Sequence, residues 1–270
     1  MIKFAIVVVV LLIALAVIVR LVEPRFAFFP SAGETPPPAE PGVQITPWSA
    51  TTRDGERLQG WSLEPAAPRA TVLYFHGNGG NLAVWAPILM GVARRGFAVV
   101  AFDYRGYGAS TGRPTEQGLY RDVEAVVERF RALPRRPLPV VYWGRSLGTV
   151  MAAYATMVTA PDGVILESGF PDARAVARTS PLLAVLSVFS SYRFPAAEFM
   201  RRSAPPTLVM HGDSDSVVPF ELGRSLFARI KEPKTFVTIH GGDHNDTAPA
   251  DPAYWPEVDR FVAGLRADRR

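Results

Sequence analysis

The 270-residue sequence predicts an α/β domain with a mainly parallel central sheet and helices on both faces. Two observations predict this class. Short runs rich in β-branched residues alternate with longer helical stretches, and that order produces parallel strands joined by crossover helices. The short runs are also apolar throughout, as strands covered on both faces should be. Because most of them end in glycine, histidine or acidic residues, we expect a ligand site at the carboxyl ends of the strands.

The elements are predicted in chain order. Two alternating segments, 44–52 and 58–63, flank Arg-Asp-Gly-Glu and form a hairpin. The strands that follow are predicted at 70–75, 98–102, 140–143, 163–166, 207–210 and 235–239. The helices between and after them are predicted at 82–94, 116–132, 149–158, 219–230 and 256–267.

The amino-terminal region is apolar enough to cross a membrane. Residues 4–19 are an unbroken apolar run, continued after Arg20 by Leu21 and Val22. The nineteen residues 4–22 rise about 28 Å as a helix, close to the thickness of a hydrocarbon core. We expect residues 1–29 to be an uncleaved single-pass anchor. A cleaved signal peptide is the alternative, but Arg25 stands where its cleavage site needs a small residue. The charges that flank this segment are too few to predict on which side of the membrane the following domain lies.

Residues 30–42 are rich in proline and predict a semi-rigid linker that holds the domain away from the membrane. The globular domain is then expected over 43–270. Within it, residues 171–204 are longer than a simple crossover and contain many apolar side chains. They form either a small cap over the site or a crossover helix whose apolar side belongs to the core.

A Gly-Arg-Ser-Leu-Gly motif at 144–148 stands between a predicted strand and a predicted helix. A sharp turn there exposes the hydroxyl of Ser146 in a strained backbone conformation. The N–H of Leu147 is free at the start of the helix to bind an oxyanion. The motif therefore predicts Ser146 as a nucleophile.

A serine nucleophile needs a base, and the chain has four histidines. His76 and His211 each end a strand before a glycine, which favours a packing role. His240 ends the last strand, whereas His244 lies four residues further on in a loop that can reach over the strand tips. We therefore predict His244 as the base, ahead of His240.

The base needs an orienting acid. Asp215 is the preferred candidate, because it follows a buried strand in the turn that opens a helix. Asp213 and Glu167 are the alternatives, the first more suited to stabilising the loop and the second to packing. The order Ser, Asp, His along the chain is the one expected for a serine in such a turn.

A second oxyanion donor is expected in the glycine-rich turn after the first parallel strand, at Asn78 or else at Gly79. Such loops also bind phosphates, but no Gly-x-x-x-x-Gly-Lys-[Ser/Thr] motif is present. The absence of cysteine excludes disulfides, thiolate metal sites and a cysteine nucleophile. Arginine pairs are scattered and lack interleaved aromatic residues, so we expect no nucleic-acid partner at a net charge of +4.

Five motifs in order resemble the α/β-hydrolase superfamily: HGNGGN, DYRGYGAS, GRSLG, HGDSDSVVP and GGDHND. The chain is most similar to the serine-aminopeptidase-like branch and to small single-pass membrane hydrolases, over residues 43–268. The resemblance implies an α/β-hydrolase fold with a short cap insert at 171–204. The residues that it implies are Ser146 as nucleophile, Asp215 as acid, His244 as base, and Asn78 and Leu147 as oxyanion donors.

The resemblance also implies an activity. Such a protein is expected to cleave carboxylic esters or thioesters through an acyl-serine intermediate, with no metal and no organic cofactor. Its expected partners are an acyl or small-molecule ester and the membrane. A serine peptidase or amidase with the same triad is the enzymatic alternative. A non-catalytic, membrane-anchored binding domain is the alternative outside enzymes. The resemblance makes Asp103 part of a structural loop rather than of the triad.

Overall fold

The computed structural model describes residues 1–34, 36–133 and 137–267. Some predicted features lie outside the described residues, namely position 35 of the linker, the arginine pair 135–136 and the end of the domain at 268–270, which includes the arginine pair 269–270. The helices are α1 Ile2–Ala27, α2 Leu82–Arg94, α3 Glu116–Arg131, α4 Leu147–Val158, α5 Ala173–Ala177, α6 Pro181–Leu186, α7 Ala196–Ser203, α8 Phe220–Arg229, α9 Thr247–Ala250 and α10 Tyr254–Ala267. The strands are β1 Phe29–Pro30, β2 Val43–Thr51, β3 Arg57–Pro65, β4 Ala70–Phe75, β5 Gly79–Gly80, β6 Phe97–Phe102, β7 Val140–Arg145, β8 Gly163–Glu167, β9 Thr207–Gly212 and β10 Lys234–Ile239.

The central sheet has the strand order β10-β9-β8-β7-β4-β6-β3-β2. All neighbours from β10 to β6 are parallel, whereas β3 pairs antiparallel with both β6 and β2. Every residue of β6, β8 and β9 is buried, which is why these strands are apolar throughout. Apolar residues of α2 and α10 pack on one face of the sheet, and those of α3, α4, α7 and α8 pack on the other. The predicted fold class is confirmed, and the predicted strands and helices match to within two residues at each end.

The insert at 171–204 divides into two parts with different packing. The second part, α7, is core: Met200 is fully buried, and the ring of Phe199 lies 5.2 Å from that of Tyr154 on α4. The first part, α5 and α6, has no buried residue. The crossover alternative therefore describes α7, and a cap is left as a proposal for α5 and α6.

Helix α1 contains a 23-residue span from Lys3 to Arg25, within which an 18-residue stretch has a mean hydropathy of 3.3. The span is long and apolar enough to cross a membrane as an anchor or to serve as a signal sequence. The residues after it pack on the domain. Phe28 is buried, with its ring edge-on to those of Tyr192 and Phe194 in the insert. Phe28 therefore joins the end of α1 to the hydrophobic core.

Residues 28–33, which we call the strap, also pair with two loops of the domain. Strand β1 runs parallel to β5, and the Ser31 N–H donates to the Gly80 carbonyl at 2.9 Å. Ser31 and Gly33 exchange backbone hydrogen bonds of 2.9 Å with Gly108. The structure thus differs from the expected linker at its start, because residues 30–33 lie against the domain instead of spacing it from α1.

Candidate active site

Ser146 stands at the turn between β7 and α4 with φ 54° and ψ −120°. A residue with a side chain rarely adopts a positive φ, and holding it there costs on the order of 1–3 kcal/mol. The two flanking glycines make the turn possible. A Cβ on Gly144 would lie 2.1 Å from the carbonyl oxygen of Gly148, and a Cβ on Gly148 would lie 1.9 Å from that of Phe75. The backbone of α4 therefore touches the end of β4, and the serine is held at the carboxyl edge of the sheet.

The Gly148→Ala variant is expected to be markedly destabilised, because its methyl group would collide with backbone atoms that cannot rotate away. We expect the free energy of unfolding to fall by about 3 kcal/mol, or roughly 5–10 °C in Tm for a domain of this size. Thermal unfolding followed by tryptophan fluorescence in detergent micelles measures it. The matched control is Gly264→Ala in α10, where nothing lies within 4 Å of the added Cβ. Equal Tm values for the two variants would contradict the close contact.

Asp215 and His244 form a buried pair. Asp215 lies in the turn between β9 and α8, and its Oδ2 is 2.8 Å from Nδ1 of His244. The two residues are 8% and 7% exposed. The other carboxylate oxygen accepts backbone N–H bonds from Val217 at 2.9 Å and Val218 at 2.7 Å. Both oxygens are therefore occupied, and the carboxylate cannot turn away from the imidazole.

The surroundings of Asp215 keep it ionised. Burial alone would raise the pKa of this carboxyl, but hydrogen bonds from His211, His244 and the Val218 N–H outweigh burial and hold the pKa well below its usual range. A carboxylate in that state accepts the Nδ1–H of His244, which leaves the opposite nitrogen, Nε2, free to act as a base.

His211 is a contributor to the site that the sequence assigned to packing alone. Its Nε2 lies 2.8 Å from the carbonyl oxygen of Val218 and 3.4 Å from Oδ2 of Asp215. Because a carbonyl only accepts, Nε2 of His211 carries the proton and points it between these two oxygens. The ring also fixes the backbone, since a Cβ on Gly223 would lie 2.2 Å from its Nδ1.

Arg145, the residue before Ser146, connects the serine turn to the histidine loop. Its Nη2 donates to the carbonyl oxygen of His244 at 2.6 Å, and its guanidinium is 3.5 Å from the carboxylate of Glu167. The Ser146 N–H in turn donates to the Glu167 carbonyl at 2.9 Å. These contacts bring the loop of His244 beside Ser146 at the same edge of the sheet.

The alternative acids and bases lie in other contacts. Glu167 accepts from Trp143 Nε1 at 3.2 Å and from the Tyr254 hydroxyl at 2.9 Å, in addition to its ion pair with Arg145. Asp213 pairs with His240 at 3.0 Å, and the side chain of that histidine is 78% exposed. Of the two histidines that follow β10, His240 is therefore paired with its aspartate at the surface, whereas His244 is paired with Asp215 in a buried position.

The turn after β4, expected to supply an oxyanion donor, is fixed from several sides. The Asn78 side chain donates to the Ala27 carbonyl at 2.7 Å, and its backbone carbonyl accepts from the Tyr107 hydroxyl at 2.9 Å. Leu147 is the first residue of α4, so its N–H has no acceptor within the helix. Gly148 touches the carbonyls of Phe75 and His76, and this contact places the two predicted donor segments side by side.

His76 and Asp103 support that turn. His76 is fully buried against the Tyr104 ring, and burial lowers the pKa of His76 to about 4. Its Nδ1 lies 2.7 Å from the Gly77 carbonyl, to which it must donate. Asp103 accepts the Leu82 N–H at 2.9 Å and so caps α2. Among the described residues, no cluster of three or more His, Cys, Asp or Glu side chains is placed to hold a metal ion.

Comparison with known proteins identifies the family. Residues 70–180 match the family described as the alpha/beta hydrolase fold. The protein Rv2307c of Mycobacterium tuberculosis is 33% identical over 231 residues, which cover 82% of this chain and 80% of that protein. The chain belongs to the α/β-hydrolase family.

Relatives and structural neighbours of this α/β hydrolase include proteins named for ester cleavage. The lysophosphatidylserine lipase ABHD12 of Macaca fascicularis is 33% identical over 193 residues, which cover 63% of this chain and 48% of the lipase. The chain thus spans about half of that lipase. The esterase Pf2001 of Pyrococcus furiosus superposes with a TM-score of 0.69 over 88% of this chain and 97% of that one, at 19% identity. That level of identity supports the shared fold alone.

Proposed function

We propose that this α/β hydrolase is a serine hydrolase that cleaves carboxylic esters or thioesters through an acyl-serine intermediate. One observation carries the proposal. A strained serine at the turn between β7 and α4 and a buried Asp215–His244 pair lie at the same edge of the sheet, joined through Arg145. The names of its relatives and structural neighbours, a lipase and an esterase, favour esters as substrates.

The proposed reaction has two halves. His244 Nε2 takes the proton of Ser146 as Oγ attacks the substrate carbonyl, and Asp215 stabilises the imidazolium through Nδ1. The N–H groups of Leu147 and Asn78 bind the oxyanion of the tetrahedral intermediate. His244 then protonates the leaving alcohol or thiol. In the second half, the same histidine activates water, which releases the acid and restores the serine hydroxyl.

We further propose that α1 stays attached and anchors the catalytic domain to a membrane. Its length and hydropathy fit a span, and the strap that follows it is built into the domain. The segment just after a cleaved signal peptide is expected to be accessible to the peptidase, whereas Phe28, directly after α1, is buried in the domain. The side of the membrane on which the domain lies is not part of the proposal.

A substrate panel on the full-length protein in detergent micelles tests the proposed function. We expect nitrophenyl esters of short or medium acyl chains to be hydrolysed faster than aminoacyl anilides, because an ester carbonyl is more electrophilic and its leaving group needs less help from the acid. A faster rate on the anilides would assign the protein to the peptidases. No turnover of either class, together with no labelling by a fluorophosphonate, would support the non-catalytic alternative.

A further inference from the structure

The first part of the insert exposes an unusual amount of apolar surface. Four aliphatic side chains in and just after α6 are between 50% and 70% exposed, namely Leu182, Leu183, Val185 and Val188. Single exposed aliphatic residues are common, but four within seven positions form a patch of the kind that marks a binding surface. We call these four residues the apolar patch.

The apolar patch lies next to the end of α1. Glu23 of α1 accepts hydrogen bonds from the Ser191 N–H at 3.1 Å and the Ser191 hydroxyl at 2.9 Å, and it also binds the Ser190 hydroxyl. Ser190 follows Val188 by two residues, so the patch ends two residues before this contact. Glu23 comes one helical turn after Val19, the last residue of the unbroken apolar run. The patch is therefore placed near the depth at which α1 leaves the hydrocarbon.

One side of α1 is partly covered over the same depth. Ala16, Val19, Val22, Glu23, Pro24 and Ala27 are of intermediate exposure, whereas most residues between Phe4 and Leu21 are exposed. Ala16, Val19, Glu23 and Ala27 follow one another at spacings of three and four residues, which puts these four on one face of the helix. Because Glu23 and Phe28 both contact the insert, this face is the one that α1 turns towards the domain. The domain thus stands beside the last turns of the span instead of beyond them.

The charges near the patch suit a lipid headgroup region. Arg174 on α5 and Arg178, the C-cap residue of that helix, are exposed and four residues apart, so they lie on the same side of it. They directly precede the apolar patch in the chain. Arginines beside exposed aliphatic side chains are typical of segments that lie in the interface of an anionic membrane.

We propose that the apolar patch lies in the lipid interface beside α1, so that the domain touches the bilayer at two places and takes esters from it directly. The occupant of the patch is the bilayer that α1 spans. The lipid contact rests on α1 being an anchor, and the uptake of esters rests on the proposed hydrolase function. An ester dissolved in water needs no such contact.

A spin-label experiment tests the lipid contact independently of activity. The chain contains no cysteine, so a single Val185→Cys variant can be labelled at one position in the full-length protein. In nanodiscs of phosphatidylcholine and phosphatidylglycerol, we expect the label to be accessible to oxygen and protected from a water-soluble nickel complex. The matched control is Met157→Cys at the end of α4, which is 37% exposed and should be accessible to nickel. Equal nickel accessibility of the two labels would overturn the proposal. Dipolar broadening between Val185→Cys labels on two molecules would also overturn it, because a second copy of the chain would then cover the patch.

A second measurement tests the uptake of esters. In the Leu182→Ser, Val185→Ser, Val188→Ser triple variant, we expect hydrolysis of a nitrophenyl ester dissolved in vesicles to fall about tenfold, while hydrolysis of a soluble nitrophenyl ester stays within about twofold of wild type. An equal fall on both substrates would indicate damage to the domain and overturn the uptake. If wild type hydrolyses neither ester, the proposed function fails, whereas the spin-label result still decides the lipid contact.

Discussion

The Ser146→Ala variant is expected to lose labelling by a fluorophosphonate probe and to hydrolyse esters at least about 10⁵-fold more slowly than wild type. The reason is chemical: without Oγ no acyl-enzyme forms, and water must attack the ester with only the oxyanion donors to help. Alanine keeps the backbone of the turn, because it meets the same steric limits as serine at φ 54°. The Tm should therefore stay close to that of wild type. Gel-based labelling and steady-state kinetics in detergent measure the two effects.

Ser168→Ala is the matched control. Ser168 also follows a strand of the sheet at a positive φ, 50°, and is fully buried. Its hydroxyl has no hydrogen-bond partner among the described residues. Removing that hydroxyl should therefore leave the fold intact and keep the activity within about twofold of wild type. Persistent labelling of Ser146→Ala would exclude Ser146 as the nucleophile, and loss of labelling in Ser168→Ala alongside it would assign that role to Ser168.

The Asp215→Asn variant is expected to lower kcat by about 10⁴-fold with little change in KM. The amide oxygen can still accept the N–H groups of Val217 and Val218, so the turn keeps its shape. The amide nitrogen then faces Nδ1 of His244 and donates to it. With Nδ1 acting as acceptor, the proton of the imidazole moves to Nε2, and the ring can no longer take the serine proton. Kinetics at several pH values measure the loss, which should persist at alkaline pH because the tautomer, not the charge, is wrong.

Asp213→Asn provides the comparison, because it changes the Asp213–His240 pair, which lies in the same loop region. The side chain of His240 is 78% exposed and that of Asp213 is 35% exposed, and a pair open to solvent in this way contributes little to stability or to positioning. We expect activity within about twofold of wild type. The reverse result, with a large loss in Asp213→Asn and a small one in Asp215→Asn, would assign the triad to the exposed pair.

The parallel sheet and the serine turn could be predicted because their signals are local. A strand buried on both faces must be apolar at every position. The glycines on either side of Ser146 are required because a Cβ there would lie about 2 Å from a carbonyl oxygen, of Gly148 within the turn and of Phe75 at the end of β4. The pairing of Asp215 with His244 could also be predicted from the sequence. Asp215 follows β9, His244 follows β10, and parallel neighbours deliver their loops to the same edge of the sheet.

The strap, α6 and the contribution of His211 were not predictable in the same way. Strands β1 and β5 are two residues long and lie about fifty residues apart, so they leave no periodic pattern. The prolines nearby favour an extended chain, but they do not say whether that chain lies in water or against the domain. In the sequence, His211 has the position of a packing residue at the end of a strand. Its contact with Asp215 could not be predicted, because only the folded turn brings Nε2 of His211 to that carboxylate.

The strap also limits where the protein can be cut or shortened. Ala27 and β1 hold the turn that carries Asn78, so a protease that released the domain by cutting within residues 27–33 would also loosen the predicted oxyanion donor. If the proposed anchor and the proposed activity are right, a form cut in this segment is expected to be less active than the full-length protein. For the same reason, we expect that a helix replacing α1, the proposed anchor, has to retain the native residues from Ala27 through Gly33 if the turn of Asn78 is to keep its shape.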